Sequence, residues 1–332
     1  MSIPCYPDFV PLGIEHKDLL HPRLSLTPDG VSEFTFAGLY LFRKRYKYRI
    51  SQFSLAGTQQ TGGFIISGTQ PDHVEHGASG AASGENTSAA SGGNTGAAAG
   101  GKTFFMTPCA APEKEMLASL FDSHDYWKNI SETVLNPVRE KLEESGIKIE
   151  EDRNNFDYLY YRKDLAELSG KKFHKKKNHV NNFLSSYPNH EQRPLSSALI
   201  PAAVEILDRW RQEKNEDGDY KAAREALELF DSVALKGSIF YIDGRPAAFC
   251  MGESIARGRM FVVHIEKAID EYKGIYQFIN QAFAASLPRF FTLINREQDL
   301  GSEGMRQAKM TYRPCGYVKK FTAVIKEVDE NK

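Results

Sequence analysis

The spacing of apolar residues changes its period several times along the chain. Near-alternation over residues 46–57, "YKYRISQFSLAG", predicts a strand, and "GGFIISGT" predicts the next. Residues 77–101 break the pattern, being almost wholly Ala, Gly, Ser, Asn and Thr with one Glu. Such a stretch cannot bury enough apolar surface to offset its chain entropy, so it is expected to be a flexible loop between two strands. "KTFFMTPCA" resumes the β pattern directly after it. Residues 113–144 carry a helical period, read as two helices with Pro137 at a start or kink, and "IKIEED" and "FDYLYYR" read as strands. Helical stretches follow at residues 195–212 and 220–235. Asp243-Gly244 between "GSIFYI" and "AAFCMGE" then marks a hairpin. The remainder alternates: "RMFVVHIEKA" strand, "GIYQFINQAFAASL" helix, "RFFTLINRE" strand, "SEGMRQAKMTY" helix, "KKFTAVIKEV" strand. A hairpin followed by strand–helix–strand–helix–strand predicts an α+β fold, with α/β character and a sheet of mixed direction.

At 332 residues the chain exceeds one ordinary domain, and a division into 1–165 and 166–332 is expected. A formal charge of −1 gives no global field toward nucleic acid or membrane, so any anionic partner must be held by a local patch. No apolar run is long enough to span a bilayer, and the N-terminal residues lack a basic and apolar leader. Cys5, Cys109, Cys250 and Cys315 are far apart and form no CxxC pair, which predicts free thiols in a reducing cytoplasm.

"SGKKFHKKKNHVNNF", residues 169–183, is the strongest local patch, with five lysines and two histidines in nine residues. On a regular helix Phe173, Val180 and Leu184 form an apolar stripe. Lys172, Lys175, Lys176 and His179 form a basic face, and His174, Asn178 and Asn181 a third side, expected to make a contact between domains. His174 and His179 diverge by about 140° and cannot share a metal. The basic face is either solvated or a phosphate contact. The nearest acid read from the sequence is Glu167, before the Ser169-Gly170 break, so the like charges lack a helical partner.

The element order from about residue 171 to 328 is that of a GNAT (Gcn5-related N-acyltransferase) domain. The first half has the parts for a second, degenerate copy. "FDYLYYRKDLAELSGKKFHKKKNHVNNF", "FTFAGLYLFRKRYKYRIS" and "INREQDLGSEGMRQAKMTYRP" resemble the DUF2156 family, related to the C-terminal domain of phosphatidylglycerol lysyltransferases. The resemblance implies tandem GNAT-like folds, as in Fem-type transferases of bacteria. It further implies transfer of an amino acid from aminoacyl-tRNA to a lipid head group, peptide or small acceptor. Aminoacyl-tRNA would be the co-substrate, with no other cofactor and no metal.

In the acyl-CoA members a Gln/Arg-x-x-Gly-x-Gly/Ala segment cradles the pyrophosphate on backbone amides at a helix start. Here that segment is Glu271-Tyr272-Lys273-Gly274-Ile275-Tyr276, in which Glu271 and Tyr276 depart from the pattern. An acyl-CoA N-acyltransferase is therefore an alternative, as is a non-catalytic tRNA- or anion-binding module. The resemblance nominates Arg306 and Lys309 to hold an anionic or carbonyl group. Asn295 and Arg296 lie beside them at the strand end, and Asp299 is assigned the α-amino group of an aminoacyl moiety. Glu266, on the side of "VVHIEKA" that also carries His264, is nominated as general base. Lys172, Lys175, Lys176 and His179 are assigned to tRNA or another anion.

Overall fold

The computed structural model describes residues 2–54, 61–71, 101–215 and 217–326. The loop predicted at residues 77–101 therefore lies, except for Gly101, outside the described residues. In chain order the first half forms β1 (Val10–Pro11), α1 (Lys17–Leu24), α2 (Phe36–Tyr46), β2 (Arg49–Ser54), β3 (Thr61–Thr69), β4 (Thr103–Met106), α3 (Lys114–Ser123), β5 (Tyr126–Ser131), α4 (Glu132–Leu135), α5 (Arg139–Glu144) and β6 (Ile147–Glu151). The rest forms β7 (Asp157–Tyr161), α6 (Arg162–Glu167), α7 (His174–Ser186), β8 (His190–Pro194), α8 (Ile200–Lys214), α9 (Tyr220–Glu228), β9 (Lys236–Ile242), β10 (Arg245–Ile255), β11 (Met260–Ala268), α10 (Ile275–Ser286), β12 (Leu293–Asn295), α11 (Glu303–Met310), β13 (Gly316–Val318) and β14 (Lys320–Ile325).

These elements build two mixed seven-stranded sheets, ordered β1-β2-β3-β4-β5-β14-β6 and β13-β7-β12-β11-β10-β9-β8. The two orders are alike: an antiparallel run, one parallel pair (β4 with β5, β11 with β12), then an antiparallel strand (β14 on β5, β7 on β12) and one strand beyond it. This is the tandem GNAT-like α+β architecture that the element order predicts. The division between units differs from a cut at residue 165. Among the described residues the first unit takes those before 72, 101–156 and 318–326, and the second takes 157–317. The last strand of the chain, expected to close the second domain, sits inside the first sheet. There β14 pairs with β5 on one side and β6 on the other. "FDYLYYR", assigned to the first domain, is β7 of the second sheet, between β12 and β13. A strand with two ladder partners satisfies its backbone on both sides, so these insertions are integral to each sheet.

The core of the first unit gathers Phe105, Leu120, Trp127, Leu135, Phe321 and Ala323, with Phe105 stacked on Trp127 at 5.7 Å. Trp127 lies in β5, a strand hidden in the sequence by the helical period read over residues 113–144. In the second unit Phe183 of α7 stacks on Phe278 of α10 at 4.4 Å, and Phe278 meets Phe240 of β9 edge to face at 5.8 Å. This aromatic column ties the lysine-bearing helix to the sheet.

Every residue of β11 is buried. Its register with β10 slips once: Gly252 faces Val263, Met251 faces Ile265, and His264 is the extra residue of a β-bulge. Gly252 permits the slip, because a Cβ there would lie 1.8 Å from the Val262 carbonyl oxygen and 2.9 Å from the Phe261 ring. Gly252→Ala is therefore expected to lower stability by at least about 2 kcal/mol. Urea midpoints with an unchanged slope would show it, and an unaltered midpoint would mean the strands separate freely.

Candidate functional site

The site is built where β11 and β12 part. Their parallel ladder covers Met260–Leu293, Phe261–Ile294 and Val262–Asn295. Beyond it the chain after β12 follows β7 instead, with Arg296 N–H donating to the Tyr158 carbonyl at 3.0 Å and Tyr158 N–H to the Glu297 carbonyl at 3.1 Å. β11 continues to Ala268 against β10. The gap so opened is crossed by charged side chains in place of backbone hydrogen bonds. His264 Nδ1 lies 2.7 Å from Glu297 Oε1 and its Nε2 lies 3.1 Å from Glu253 Oε1. One turn of the pleat further on, Arg296 Nη2 donates to both oxygens of Glu266 at 3.1 Å. Asn280 of α10 lies against the same guanidinium.

Lys309 of α11 enters from the other side. Its ammonium donates to the carbonyl oxygens of Arg296 and Glu297 and lies 5.7 Å from the Tyr158 ring centroid. Asn295 Nδ2 donates to Asp157 at 3.1 Å, and its Oδ1 accepts the Glu297 N–H at 2.8 Å. Thus Asn295, Arg296, Glu266 and Lys309, separated by up to 43 positions, converge on one buried cluster, and each is at most 7% exposed. The period-two reading of His264 and Glu266 holds, since both face the gap. Lys267, next to Glu266 in the chain, points to the opposite side of β11, 2.5 Å from Asp219 and 3.7 Å from the Trp210 ring centroid.

Burial works against charge throughout the cluster, and partners decide the outcome. Burial pushes Glu266 up, while Arg296 pulls it back. His264 is opposed by burial, yet its hydrogen bonds to Glu253 and Glu297 raise it to about 10. Burial, aided by repulsion from Arg296, brings Lys309 down to about 8, the attraction of Glu297, Asp157 and Glu266 notwithstanding.

Asp299 requires a correction. Its Oδ1 accepts from Gly301 N–H at 2.9 Å and Arg306 Nη2 at 3.1 Å, and its Oδ2 from Tyr158 Oη at 2.6 Å and Arg306 Nε at 2.9 Å. A carboxylate has about four acceptor positions, and here all are used. Burial resists the charge of Asp299, but these donors hold its carboxyl below the usual range. It is 0% exposed, so it anchors Arg306, which is 39% exposed, and has no capacity left for an α-amino group.

The lysine segment is also redistributed. Lys171–Phe173 form a 3₁₀ turn before α7, so Lys172 leaves the helical face. It pairs with Asp164 at 2.7 Å, an acid that sequence spacing did not bring near. Phe173, Val180 and Phe183 are buried, while Leu184, expected in the stripe, is only half-buried. Lys175 and His179 side chains are exposed, as are those of His174, Asn178 and Asn181. Lys176 turns inward: its ammonium lies 4.4 Å from the Tyr312 ring centroid, and the Arg296 guanidinium carbon lies 5.8 Å from the same centroid. Of the four residues assigned to an anion, Lys176 alone adjoins the buried cluster. Among the described residues no group of three or more His, Cys, Asp or Glu side chains could hold a metal ion.

Glu253, Glu297, Asp157, Tyr158 and Tyr312 were not singled out by sequence. The run Asn295-Arg296-Glu297-Gln298-Asp299 is polar throughout, yet all five are buried. The one available signal is the position of this run at a strand end.

His264 carries a prediction whose sign follows from linkage. Its folded value of about 10 exceeds the ordinary 6.5, so its contribution is complete below pH 6.5 and is lost as pH rises toward 10. Lys309, lowered to about 8 from 10.5, acts oppositely, and only above pH 8. Between pH 6.5 and 8 stability is thus expected to fall by up to about 1.4 kcal/mol per pH unit from His264. Urea unfolding across that window would show the slope, and its survival in His264→Gln would assign it elsewhere.

Residues 91–324 match the family described as phosphatidylglycerol lysyltransferase, C-terminal. An uncharacterised protein of Mycoplasmoides gallisepticum is 26% identical over 182 residues, 52% of this chain and 56% of that protein. The match thus spans little more than half the length of that relative. A conserved protein of unknown function from Bacteroides thetaiotaomicron superposes with a TM-score of 0.78 at 25% identity, covering 98% of this chain and 100% of the other. The C-terminal DUF2156 domain of a putative lysylphosphatidylglycerol synthetase from Agrobacterium fabrum gives 0.56 at 11% identity, covering 95% and 92%. FemX gives 0.55 at 8% identity, covering 96% and 97%. The last two likenesses concern the fold, while the match to residues 91–324 takes in both parallel strand pairs and the whole buried cluster. The chain belongs to the family of the phosphatidylglycerol lysyltransferase C-terminal domain.

Proposed function

We propose that this protein is an aminoacyl-tRNA-dependent aminoacyltransferase that moves an amino acid to a lipid head group, peptide or small acceptor. The observation that carries the reading is the junction of a basic helix with the buried charged cluster that holds Arg296 and Lys309, inside one unit. The first turn of α7 bears His174, Lys175, Lys176 and Lys177, with no acid and no side-chain cap. Positive charge at the positive end of a helix costs stability, and an anion bound there would offset it. Lys176 leads from that surface, across Tyr312, to Arg296 and Lys309. A nucleic acid held on α7 would bring its 3′ end toward the groups that can act on an ester.

The chemistry needs little beyond position and charge. The nucleophile of the acceptor attacks the ester carbonyl carbon, the bond to the terminal ribose oxygen breaks, and the departing hydroxyl takes a proton as the acceptor loses one. Lys309 suits the charge that develops on the carbonyl oxygen, and an ammonium with a value of about 8 exchanges its proton readily near neutrality. Glu266 remains the nominated base, held by Arg296. The soluble donor and the family's lysyl chemistry together favour a cytoplasmic setting, in keeping with the absence, among the described residues, of a helix long and apolar enough to cross a membrane.

The acyl-CoA alternative is weakened at the start of α10. Glu271 is paired with Arg209 at 2.8 Å, and two amides of the cradle already donate, Lys273 to Tyr187 Oη at 3.2 Å and Ile275 to the Tyr272 carbonyl at 3.0 Å. Gly274 is backed by the His179 carbonyl, 3.3 Å from where a Cβ would stand. The proposal predicts that labelled aminoacyl-tRNA is discharged only when an acceptor is supplied, as phosphatidylglycerol vesicles, a peptide or a free amine. Lys309→Ala should slow discharge by about a hundredfold. Lys176→Ala should raise the KM for tRNA, whereas Lys172→Ala should change it little. Retention of tRNA without discharge would favour the binding module, and tight CoA binding by calorimetry would favour the acyl-CoA reading.

A further inference from the structure

Lys309 is held by two consecutive main-chain carbonyls, those of Arg296 and Glu297, and that arrangement needs its own support. Both carbonyls reach the ammonium because Glu297 adopts the left-handed conformation, with φ of 55°. A glutamate is strained there, so the surroundings must hold it. Two contacts do so: Asn295 Oδ1 accepts its N–H, and His264 donates to its carboxylate. The second nitrogen of His264 meets Glu253, so a ring flanked by two carboxylates donates on both sides and cannot turn away from Glu297 without abandoning Glu253. His264 is itself aimed into the gap because it is the extra residue of the bulge that Gly252 allows.

We propose that Glu253, His264 and Glu297 form a positioning unit that fixes the backbone at residues 296–297 and thereby holds the Lys309 ammonium at the reacting site. The three side chains are buried and come from three separate segments, β10, β11 and the stretch after β12. The unit touches no substrate itself. It acts through the carbonyls that grip Lys309, and a change at Glu253, three contacts away, should be felt at the lysine. The proposal rests on the assignment of Lys309 under the proposed function, but its geometric content can be read without any activity.

The test uses the full chain labelled with ¹⁵N-lysine. At pH 6 a hydrogen-bonded buried ammonium should give a slowly exchanging ¹⁵Nζ cross-peak, assigned to Lys309 by its loss in Lys309→Arg. The peak should vanish in Glu297→Ala and His264→Gln. It should persist in Glu297→Gln, which keeps an acceptor for His264 and the backbone contacts while removing the charge. In the discharge assay Glu297→Ala should lower kcat at least thirtyfold with KM for tRNA within threefold, and Glu297→Gln should restore kcat to within fivefold of the parent. Glu253→Gln, which leaves the His264–Glu297 bond in place, should broaden the ammonium peak and lower kcat less than Glu297→Ala does. If His264→Gln does not fold, the comparison of Glu297→Ala with Glu297→Gln decides. Equal loss of the peak in those two variants, retention of the peak in Glu297→Ala, or no such peak in the parent overturns the proposal. A parent that shows the peak and its expected pattern but discharges no aminoacyl-tRNA would count against the proposed function alone.

Discussion

The second unit depends on the replacement of a backbone ladder by charged side chains where β11 and β12 part. Two parallel strands that separate leave donors and acceptors in a dry interior, which is costly unless something pairs with them. Here β7 takes the freed edge of the β12 continuation, and the space is filled by His264 with two carboxylates and by Arg296 with Glu266. Buried ion pairs offset their desolvation only with good geometry and further hydrogen bonds. The cluster meets that condition by linking its members: the carbonyls beside Arg296 hold Lys309, and Asn295 holds both Asp157 and the Glu297 amide. The result is a rigid polar array in the middle of a sheet, with charges whose titration has been moved away from their ordinary ranges.

The two sheets share a strand order but differ in what occupies the parting of their parallel pair. In the first unit β5 leaves β4 after Phe105–Trp127, and the nearby buried polar side chains include the neutral Thr107 and Asn129. Charge is present beside that parting too: the Lys128 ammonium of β5 lies 5.0 Å from the Phe104 ring centroid of β4, and the fully buried Lys320 of β14 pairs with Glu33. The second unit differs in linking its charges to one another, His264 between two carboxylates and Arg296 on Glu266. The insertion of β14 into the first sheet also means that the first unit is not a contiguous piece of chain, whereas the second, among the described residues, runs from 157 to 317.

The legible parts were those set by local period. The hairpin around Asp243-Gly244, the buried β11 and the amphipathic α10 each announce themselves within about a dozen residues. The common placement of His264 and Glu266 followed from the pleat. What failed shares a physical cause. β5 was missed because its pattern is interrupted where its register with β14 shifts between Phe321 and Ala323, and its partners are far away in the chain. Lys172 was placed on a helical face because a 3₁₀ turn and an α-helix cannot be told apart from composition, and its acid, Asp164, sits on the preceding helix. Asp299 looked accessible because a polar run after a strand is ordinarily solvated.

By itself, the sequence determined the kinds and order of elements, the GNAT-like class, the family and most members of the charged cluster. Periodicity encodes which face of an element is buried, and the motif residues fall at recognisable strand ends. Only the tertiary structure decided which charges face one another, which lysine of α7 reaches the cluster and which carboxylate is already saturated. Those outcomes depend on distances between residues such as Tyr158 and Asp299 or Lys176 and Tyr312, over a hundred positions apart in the chain. No local rule acts over that separation, and the balance between desolvation and pairing exists only once both partners are packed in the same place.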